Sequence, residues 1–206
     1  MLPKIKKSLQ PYLEVIFKPI SFISPNILTI IGMVFPLLFL YLLVEENYLW
    51  ATISLFGVGF DVADGTVARM TKRESAFGGV LDATLDRVAD AIILSAFGFA
   101  NIISWAWVMV TIISSYVISY VKGKAEAAAG ESNVGTNKFS VGFMQRPTRF
   151  LFILAVSASL LINTDKLLYG YNLTQVIFFL LLVGSVVTVI QRFMIIYSVL
   201  TPTQKA

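Results

Sequence analysis

Long apolar segments separated by short polar stretches run through most of the chain. Each is close to the roughly 20 residues that a helix needs to cross a bilayer, so the pattern predicts six transmembrane helices. The segments lie at about Asn26 to Val44, Leu49 to Met70, Val80 to Ala100, Ile103 to Val121, from after Pro147 to Ile162, and Thr174 to Leu200. We expect an all-α integral membrane protein, with a single domain over residues 1–206 and the six-span bundle at about 26–200.

The segment before the first span mixes lysines with large apolar residues and is too polar to cross a bilayer. It predicts an amphipathic helix over residues 1–22 that lies at the membrane interface. Basic residues are concentrated in this segment, after the second span, and between the fourth and fifth spans. Because cytoplasmic loops carry an excess of Lys and Arg, both termini are predicted to be cytoplasmic. The stretch from Ala125 to Gln145 predicts a cytoplasmic loop.

Composition narrows the chemistry. The 206 residues are 57% hydrophobic and 14% charged, with a net charge of +4. This charge favours an anionic partner or lipid surface, and no nucleic-acid partner is expected. Because the chain has no cysteine and no histidine, it contains no disulfide and no thiolate, and a metal ligand or general base has to be a carboxylate.

Four aspartates lie in the second and third apolar segments, where ionised acids are costly and normally functional. They are Asp61, Asp64, Asp82 and Asp86. Spacings of three and four residues place each pair on one helix face, and the intervening turn lets the two faces oppose each other. Carboxylates that lie close together need cations between them. All-oxygen ligands suit Mg²⁺ or Mn²⁺, so the pattern predicts a metal cavity near the cytoplasmic end.

Two other interpretations of these acids are possible. They could pair with basic side chains in a helix bundle, but Arg69 and Arg87 are too few partners. They could form the transport site of a divalent-cation transporter, which their one-sided placement argues against. Gly65 and Ala68 leave room beside the acids for a ligand, and Arg69 suits a phosphate. Asp90 lies outside this spacing pattern and is predicted to be an outer-sphere or packing residue.

The complete pattern from Asp61 to Asp86 reads D-x2-D-G-x2-A-R-x8-G-x3-D-x3-D and resembles the signature of the CDP-alcohol phosphotransferase family. The resemblance implies a six-span enzyme, usually a homodimer. Such an enzyme transfers a substituted phosphate group from a CDP-linked donor to an alcohol and releases CMP.

The resemblance also implies roles for individual residues. The four aspartates would surround two divalent ions, Mg²⁺ or Mn²⁺, and Asp86 would also be the general base. The CDP group would contact Asp64, Gly65, Ala68, Arg69 and Gly78. The stretch from Ser24 to Thr29 resembles the family's entry into the first span, which would add Asn26 and Thr29 to the CDP contacts. An ordinary helix cap by Asn26 explains this short match about as well.

Basic residues recur in the second half of the chain, at Lys122, Lys124, Arg146, Arg149 and Arg192. The first four could be positive-inside anchors, whereas Arg192 lies inside an apolar segment. Converging cations are what a phosphate dianion needs, and a neutral acceptor would need fewer of them. The residues themselves therefore favour a phosphate pocket over anchors without excluding anchors.

Three stretches that contain these basic residues, at 119–127, 142–149 and 189–192, resemble the branch of the family that uses inositol 1-phosphate. This branch comprises the phosphatidylinositol phosphate synthases and their archaeal counterparts. By that match Lys122, Arg149 and Arg192 would hold the inositol phosphate group, and Lys124 and Arg146 would support it. Two departures are a lysine at 124, where arginine is usual, and a longer loop at 130–141.

The resemblance therefore implies a membrane transferase that moves a lipid phosphate group from CDP-diacylglycerol or CDP-archaeol to inositol 1-phosphate. Two related reactions remain as alternatives. One joins CDP-inositol to inositol 1-phosphate to make an osmolyte phosphate, and the other uses glycerol 3-phosphate as the acceptor. The expected setting is the cell membrane, with the active site facing the cytoplasm.

Overall fold

Helices make up the described structure. The computed structural model describes residues 12–57, 61–131, 139, 142–162 and 170–201, with the backbone alone at 61, 130 and 131. These residues contain no strand and form eight α-helices: α1 Pro25–Gly32, α2 Val34–Val44, α3 Tyr48–Gly57, α4 Asp61–Thr71, α5 Ala76–Phe99, α6 Trp105–Glu131, α7 Arg146–Ser159 and α8 Leu173–Leu200. Residues 12–17 are also helical and lead into a 3₁₀ turn at Lys18–Ile20. The predicted all-α class is confirmed for this part of the chain.

Three helical segments in the described ranges are long and apolar enough to cross a membrane: Pro25–Val44, Trp105–Ala129 and Leu173–Leu200. Their mean hydropathies are 2.7, 1.3 and 2.5, and about 28% of the apolar window in each is buried. The apolar faces that point outward suit a lipid environment, which indicates a membrane protein. The count of six spans stays a prediction. So does the interfacial helix, whose residues 1–11 lie outside the described ranges.

Two of the predicted spans are each built from two helices. In the first, α1 and α2 meet at Met33, whose N–H donates to the carbonyl of Ile30 at 3.1 Å. Pro36 explains the break, because it has no N–H and its ring would clash with the carbonyl of Gly32 in a continuous helix. The second predicted span is divided between α3 and α4, and residues 58–60 between them lie outside the described ranges.

The chain forms two compact units, one ending at Ile93 and the other beginning at Leu94. In the first unit, α2 packs against α3 and α1 packs against α4. Leu28 of α1 and Val67 of α4 are buried, as are Phe39 of α2 and Leu55 of α3. The α1–α4 contact matters most for function, because these two helices carry many of the predicted donor-site residues. The predicted single domain stays a prediction.

In the second unit, α8 packs against both α6 and α7. Its buried positions recur every three or four residues, at Phe178, Leu181, Ser185, Thr188 and Arg192, as expected for one helix face. The start of α8 has a capping box, in which Asn172 accepts from the N–H of Gln175 at 2.9 Å and Gln175 accepts in return at 3.2 Å. The buried Ser159 donates to Thr174 at 2.9 Å and ties the end of α7 to α8.

The predicted loop from Ala125 to Gln145 is wrong over residues 125–131, because α6 continues to Glu131. Alanine is the strongest helix former, and this stretch is rich in it. The extension also buries Ala125 and Ala129 in a cluster with Phe139, against which apolar residues near the end of α8 pack. Intrinsic helix propensity and burial both favour the longer helix.

Candidate functional site

A cavity of about 190 Å³ lies in the first unit. Helices α1, α4 and α5 and the connection between α4 and α5 contribute to its lining, which comprises Pro25, Asn26, Thr29, Asp64, Gly65, Ala68, Arg69, Arg73, Glu74, Ser75, Gly78, Gly79 and Asp82. All seven residues predicted to contact the CDP group are among them, together with one further predicted metal ligand, Asp82. The structure therefore brings these residues around one space, and their roles stay predictions.

Asp64 is held in place from both sides of its carboxylate. The hydroxyl of Thr29 donates to Oδ2 at 2.6 Å across the α1–α4 contact, and the N–H of Gly65 donates to Oδ1. Both Thr29 and Asp64 are buried. Hydrogen bonds to an ionised acceptor are shorter and stronger than neutral ones, so the orientation of this carboxylate is well determined.

Small residues leave the space that the cavity occupies. A Cβ at Gly65 would lie 3.3 Å from Nη1 of Arg69, and a Cβ at Gly78 would lie 3.0 Å from Oδ1 of Asn26. Arg69 also donates to Thr66 at 3.3 Å, which fixes the guanidinium along α4. A larger residue at either glycine would displace a polar side chain that lines the cavity.

The connection from α4 to α5 contributes lining residues that the sequence analysis missed. Helix α4 ends in a Schellman motif, with Lys72 at φ 55° and the N–H of Arg73 bonded to Ala68 at 2.9 Å. This turn brings Arg73, Glu74 and Ser75 to the cavity. Ser75 then caps α5 by accepting from the N–H of Gly78 at 2.9 Å. Serine is among the residues preferred at a helix N-cap, so Ser75 was a usable signal for the start of α5.

The four predicted metal ligands are placed differently from one another. Asp64 and Asp82 line the cavity. Asp61 is the first residue of α4, and its side chain is not among the described ones. Asp86 is not among the lining residues of the cavity, and its Oδ2 lies 3.9 Å from Nη1 of Arg87. Among the described side chains, no group of three or more acids converges as a ready-made metal site. The oxygens of Asp64 and Asp82 suit a hard divalent cation.

The basic residues of the second half differ in their burial. Arg149 and Arg192 are buried, with relative exposures of 4% and 6%. Lys122 is partly buried, whereas Lys124 and Arg146 are exposed, and Lys124 lies 5.8 Å from the ring centre of Tyr120. Burying a guanidinium is costly unless its charge is compensated, so Arg149 and Arg192 are the members that a simple anchoring role explains least.

The start of α7 is fixed on α8 by the segment that precedes it. The N–H of Met144 donates to the hydroxyl of Thr188 at 3.0 Å. Gly142 has a φ of 123°, and a Cβ there would lie 2.4 Å from Cγ2 of Thr188, so both its conformation and its close approach require glycine. These contacts fix the segment before α7 against α8 at Thr188, which precedes Arg192 by four residues on the same buried face of α8.

Arg192 reaches from α8 to α6, where Nη1 donates to the carbonyl of Ile118 at 2.5 Å. Its guanidinium interacts electrostatically with Arg149, which has the same charge, and with Glu126, which has the opposite charge. Glu126 also lies 3.6 Å from Lys122, one turn earlier on α6. The sequence analysis did not assign Glu126 to the site, although its i,i+4 spacing from Lys122 was a usable signal.

Comparison with known proteins identifies relatives over most of this chain. A sequence model of the CDP-alcohol phosphatidyltransferase family matches residues 22–197. An archaetidylinositol phosphate synthase of Pyrococcus horikoshii is 34% identical over 195 residues, which cover 93% of this chain and 94% of that protein. A phosphatidylinositol phosphate synthase of Corynebacterium glutamicum is 33% identical over 180 residues, covering 82% of this chain and 76% of the relative.

Solved structures give a consistent result. The crystal structure of Mycobacterium tuberculosis phosphatidylinositol phosphate synthase with CDP-DAG bound matches with a TM-score of 0.73 and 25% identity, covering 93% of this chain and 97% of that chain. The same protein in complex with manganese and citrate gives a TM-score of 0.72 at 25% identity, covering 96% and 91%.

Proposed function

This chain belongs to the CDP-alcohol phosphatidyltransferase family, and from that membership we propose that it joins a CDP-activated lipid to inositol 1-phosphate. It is a metal-dependent transferase of phospholipid biosynthesis that releases CMP. The relatives named as inositol phosphate synthases support both the reaction and the acceptor. The lipid donor is CDP-diacylglycerol or CDP-archaeol. The two present the same CDP head group to the protein, so the head-group contacts do not distinguish them.

The donor half of the reaction uses the cavity of the first unit. We assign the CDP group to Asn26, Thr29, Asp64, Gly65, Ala68, Arg69 and Gly78, all of which line it. Asp61, Asp64, Asp82 and Asp86 are the proposed ligands of two divalent ions, Mg²⁺ or Mn²⁺. The matched Mycobacterium tuberculosis structure is in complex with manganese, which supports the use of a divalent ion. Such ions would neutralise the pyrophosphate and the charge that develops on CMP.

The chemical step is an in-line transfer. The acceptor hydroxyl oxygen forms a bond to the phosphorus that carries the lipid, and the phosphorus–oxygen bond to CMP breaks. The hydroxyl proton passes to a carboxylate, because the chain contains no histidine. We assign this general-base role to Asp86. Arg69, fixed along α4 by its bond to Thr66, is placed to hold a donor phosphate.

The acceptor half rests on one observation, the burial of two like-charged guanidiniums within electrostatic range of each other. Arg149 lies in the first turn of α7, which has no acidic residue and no side-chain cap. Cations at a helix N-terminus are unfavourable unless an anion joins them. A phosphate dianion would interact favourably with Arg149, Arg192 and the helix terminus together. Lys122 also binds the acceptor phosphate, and the exposed Lys124 and Arg146 support its binding.

The membrane arrangement is a further part of the proposal. The protein crosses the cell membrane six times as one domain, with an interfacial helix at its N-terminus and both termini in the cytoplasm. The three long apolar helices and the distribution of Lys and Arg along the chain support this topology. We also propose that the protein is a homodimer, as its family implies.

A substrate panel tests the function. The purified chain in detergent receives Mn²⁺ and CDP-diacylglycerol together with inositol 1-phosphate, inositol, glycerol 3-phosphate or serine, and CMP release is measured. We expect release with inositol 1-phosphate and much less with the others. Release with glycerol 3-phosphate but not with inositol 1-phosphate would contradict the acceptor assignment. A second panel with CDP-inositol as donor checks the osmolyte-forming reaction, for which no CMP release is expected.

A further inference from the structure

Glu126 is an acidic side chain within a group of cations. It lies 3.6 Å from Lys122, and both side chains are little more than one-third exposed. It also interacts electrostatically with Arg192, which in turn interacts with Arg149. We call Lys122, Glu126, Arg149 and Arg192 the α6–α8 charge cluster. Three of its members are the cations assigned above to the acceptor phosphate, and the fourth has no assigned role.

A carboxylate is unfavourable in a site that binds only phosphate. Its charge repels a dianion and weakens the attraction of the neighbouring cations. The distance of 3.6 Å to Lys122 also exceeds the length of a good charge-assisted hydrogen bond. An exposed i,i+4 ion pair contributes little to stability. Phosphate binding and the stability of α6 therefore account poorly for an acid at this position. Its charge partly compensates that of the buried Arg192, and its partly exposed carboxylate can also accept hydrogen bonds from a ligand.

The proposed acceptor has a second set of groups besides its phosphate. Its ring carries hydroxyls, which are hydrogen-bond donors, and an ionised carboxylate accepts from a hydroxyl in a short, strong bond. Lys122 and Glu126 lie one turn apart on α6, which is a continuous helix here, and the carboxylate of Glu126 is 3.6 Å from the ammonium of Lys122. An acceptor whose phosphate contacts Lys122 therefore has its ring hydroxyls close to Glu126.

We propose that Glu126 binds ring hydroxyls of the acceptor and selects a polyol phosphate over a simpler phosphate ester. The inference rests on the proposed function and adds a specificity-determining residue to it. Lys122, Arg149 and Arg192 hold the phosphate, which every competing phosphate ester shares. Glu126 holds the part of the acceptor that inorganic phosphate lacks altogether and that glycerol 3-phosphate offers in a shorter, more flexible form.

The test separates affinity for the ring from affinity for the phosphate. Glu126→Ala and Glu126→Gln are compared with wild type for the KM of inositol 1-phosphate, for kcat, and for the inhibition constant of inorganic phosphate. Losing a hydrogen bond to a charged group should raise the KM of Glu126→Ala about 10- to 100-fold, with kcat within about threefold. The inhibition constant of phosphate should stay the same or fall. Glu126→Gln keeps a neutral acceptor oxygen, so its KM for inositol 1-phosphate should lie between those of wild type and Glu126→Ala.

The control is Glu45→Ala, which removes an exposed acid at the end of α2 and should leave all three constants unchanged. The preference for inositol 1-phosphate over glycerol 3-phosphate, as a ratio of kcat/KM, should shrink in Glu126→Ala. If the KM of inositol 1-phosphate and the inhibition constant of phosphate rise or fall together, Glu126 acts through the cations and the inference is wrong. If neither constant changes, Glu126 has no role in acceptor binding and the inference is also wrong. A wild-type protein that does not use inositol 1-phosphate would instead refute the proposed function.

Discussion

The hydrogen bond from Thr29 to Asp64 offers the sharpest test of the donor site. Thr29→Val removes the hydroxyl and keeps the β-branched shape, so helix α1 and its packing should persist. The bond is 2.6 Å long, buried, and accepted by a carboxylate. Hydrogen bonds of this kind contribute about 1.5–3 kcal/mol. At 1.36 kcal/mol for each factor of ten, this is roughly 10- to 150-fold in an equilibrium constant.

We expect this loss to appear in the affinity for the metal, because a carboxylate that is free to rotate is a poorer ligand. Outer-sphere partners of metal ligands typically contribute 10- to 100-fold, in agreement with the range above. The assay is a Mn²⁺ titration followed by electron paramagnetic resonance on the purified protein, with CMP release measured at saturating Mn²⁺. Thr29→Ser keeps a hydroxyl and should restore most of the affinity.

Thr52→Val is the matched control. Thr52 has the same 8% exposure as Thr29, but its hydroxyl bonds within α3 to Tyr48 at 2.8 Å. The Thr52→Val variant should bind Mn²⁺ with the same affinity as wild type. If Thr29→Val also binds Mn²⁺ within twofold of wild type, the hydroxyl does not orient Asp64 for a metal. A loss confined to CDP-lipid affinity would assign Thr29 to the nucleotide alone.

Three further substitutions test other parts of the protein. Asp82→Asn should weaken Mn²⁺ binding by more than the roughly 10- to 100-fold of an outer-sphere change and abolish turnover, and retained activity would contradict the metal assignment. Arg192→Gln should raise the KM of inositol 1-phosphate at least about tenfold with Mn²⁺ binding unchanged, whereas an unchanged KM would exclude it from the acceptor site. Gly142→Ala should destabilise the protein by about 1–3 kcal/mol through backbone strain and contact with Thr188, seen as a lower melting temperature. Gly123→Ala, which has open space around it, should not, and equal melting of the two variants would contradict the explanation.

The grouping of the candidate donor-site residues around one cavity was largely predictable, because most of them lie close together in the sequence. The spacings from Asp61 to Asp86 place acids and small residues on helix faces without any tertiary information. The structure adds the contact between α1 and α4, through which Thr29 meets an aspartate 35 positions later. No periodicity in the sequence indicates that pairing, and only the family resemblance placed Asn26 and Thr29 near the nucleotide.

The acceptor residues were harder to predict, because their arrangement depends on contacts between distant helices. The sequence showed that Arg192 lies in an apolar segment, but not that it reaches Ile118 on α6. Nor does it show that Gly142 approaches Thr188 so closely that the start of α7 is fixed on α8. Positive-inside anchors and a phosphate pocket have the same composition, and burial is what separates Arg149 from the exposed Arg146.

Glu126 was missed because the boundary of α6 was placed too early. A loop beginning at Ala125 takes Glu126 off the helix face that carries Lys122, although the stretch at 119–127 contains both residues. The non-apolar composition of residues 125–145 predicts a loop, whereas the helix propensity of the alanines at its start favours a continuing helix. The burial of Ala125 and Ala129 near the end of α8 decides between the two. Once the helix continues, Glu126 lies one turn from Lys122, next to cations that are proposed to hold the acceptor phosphate.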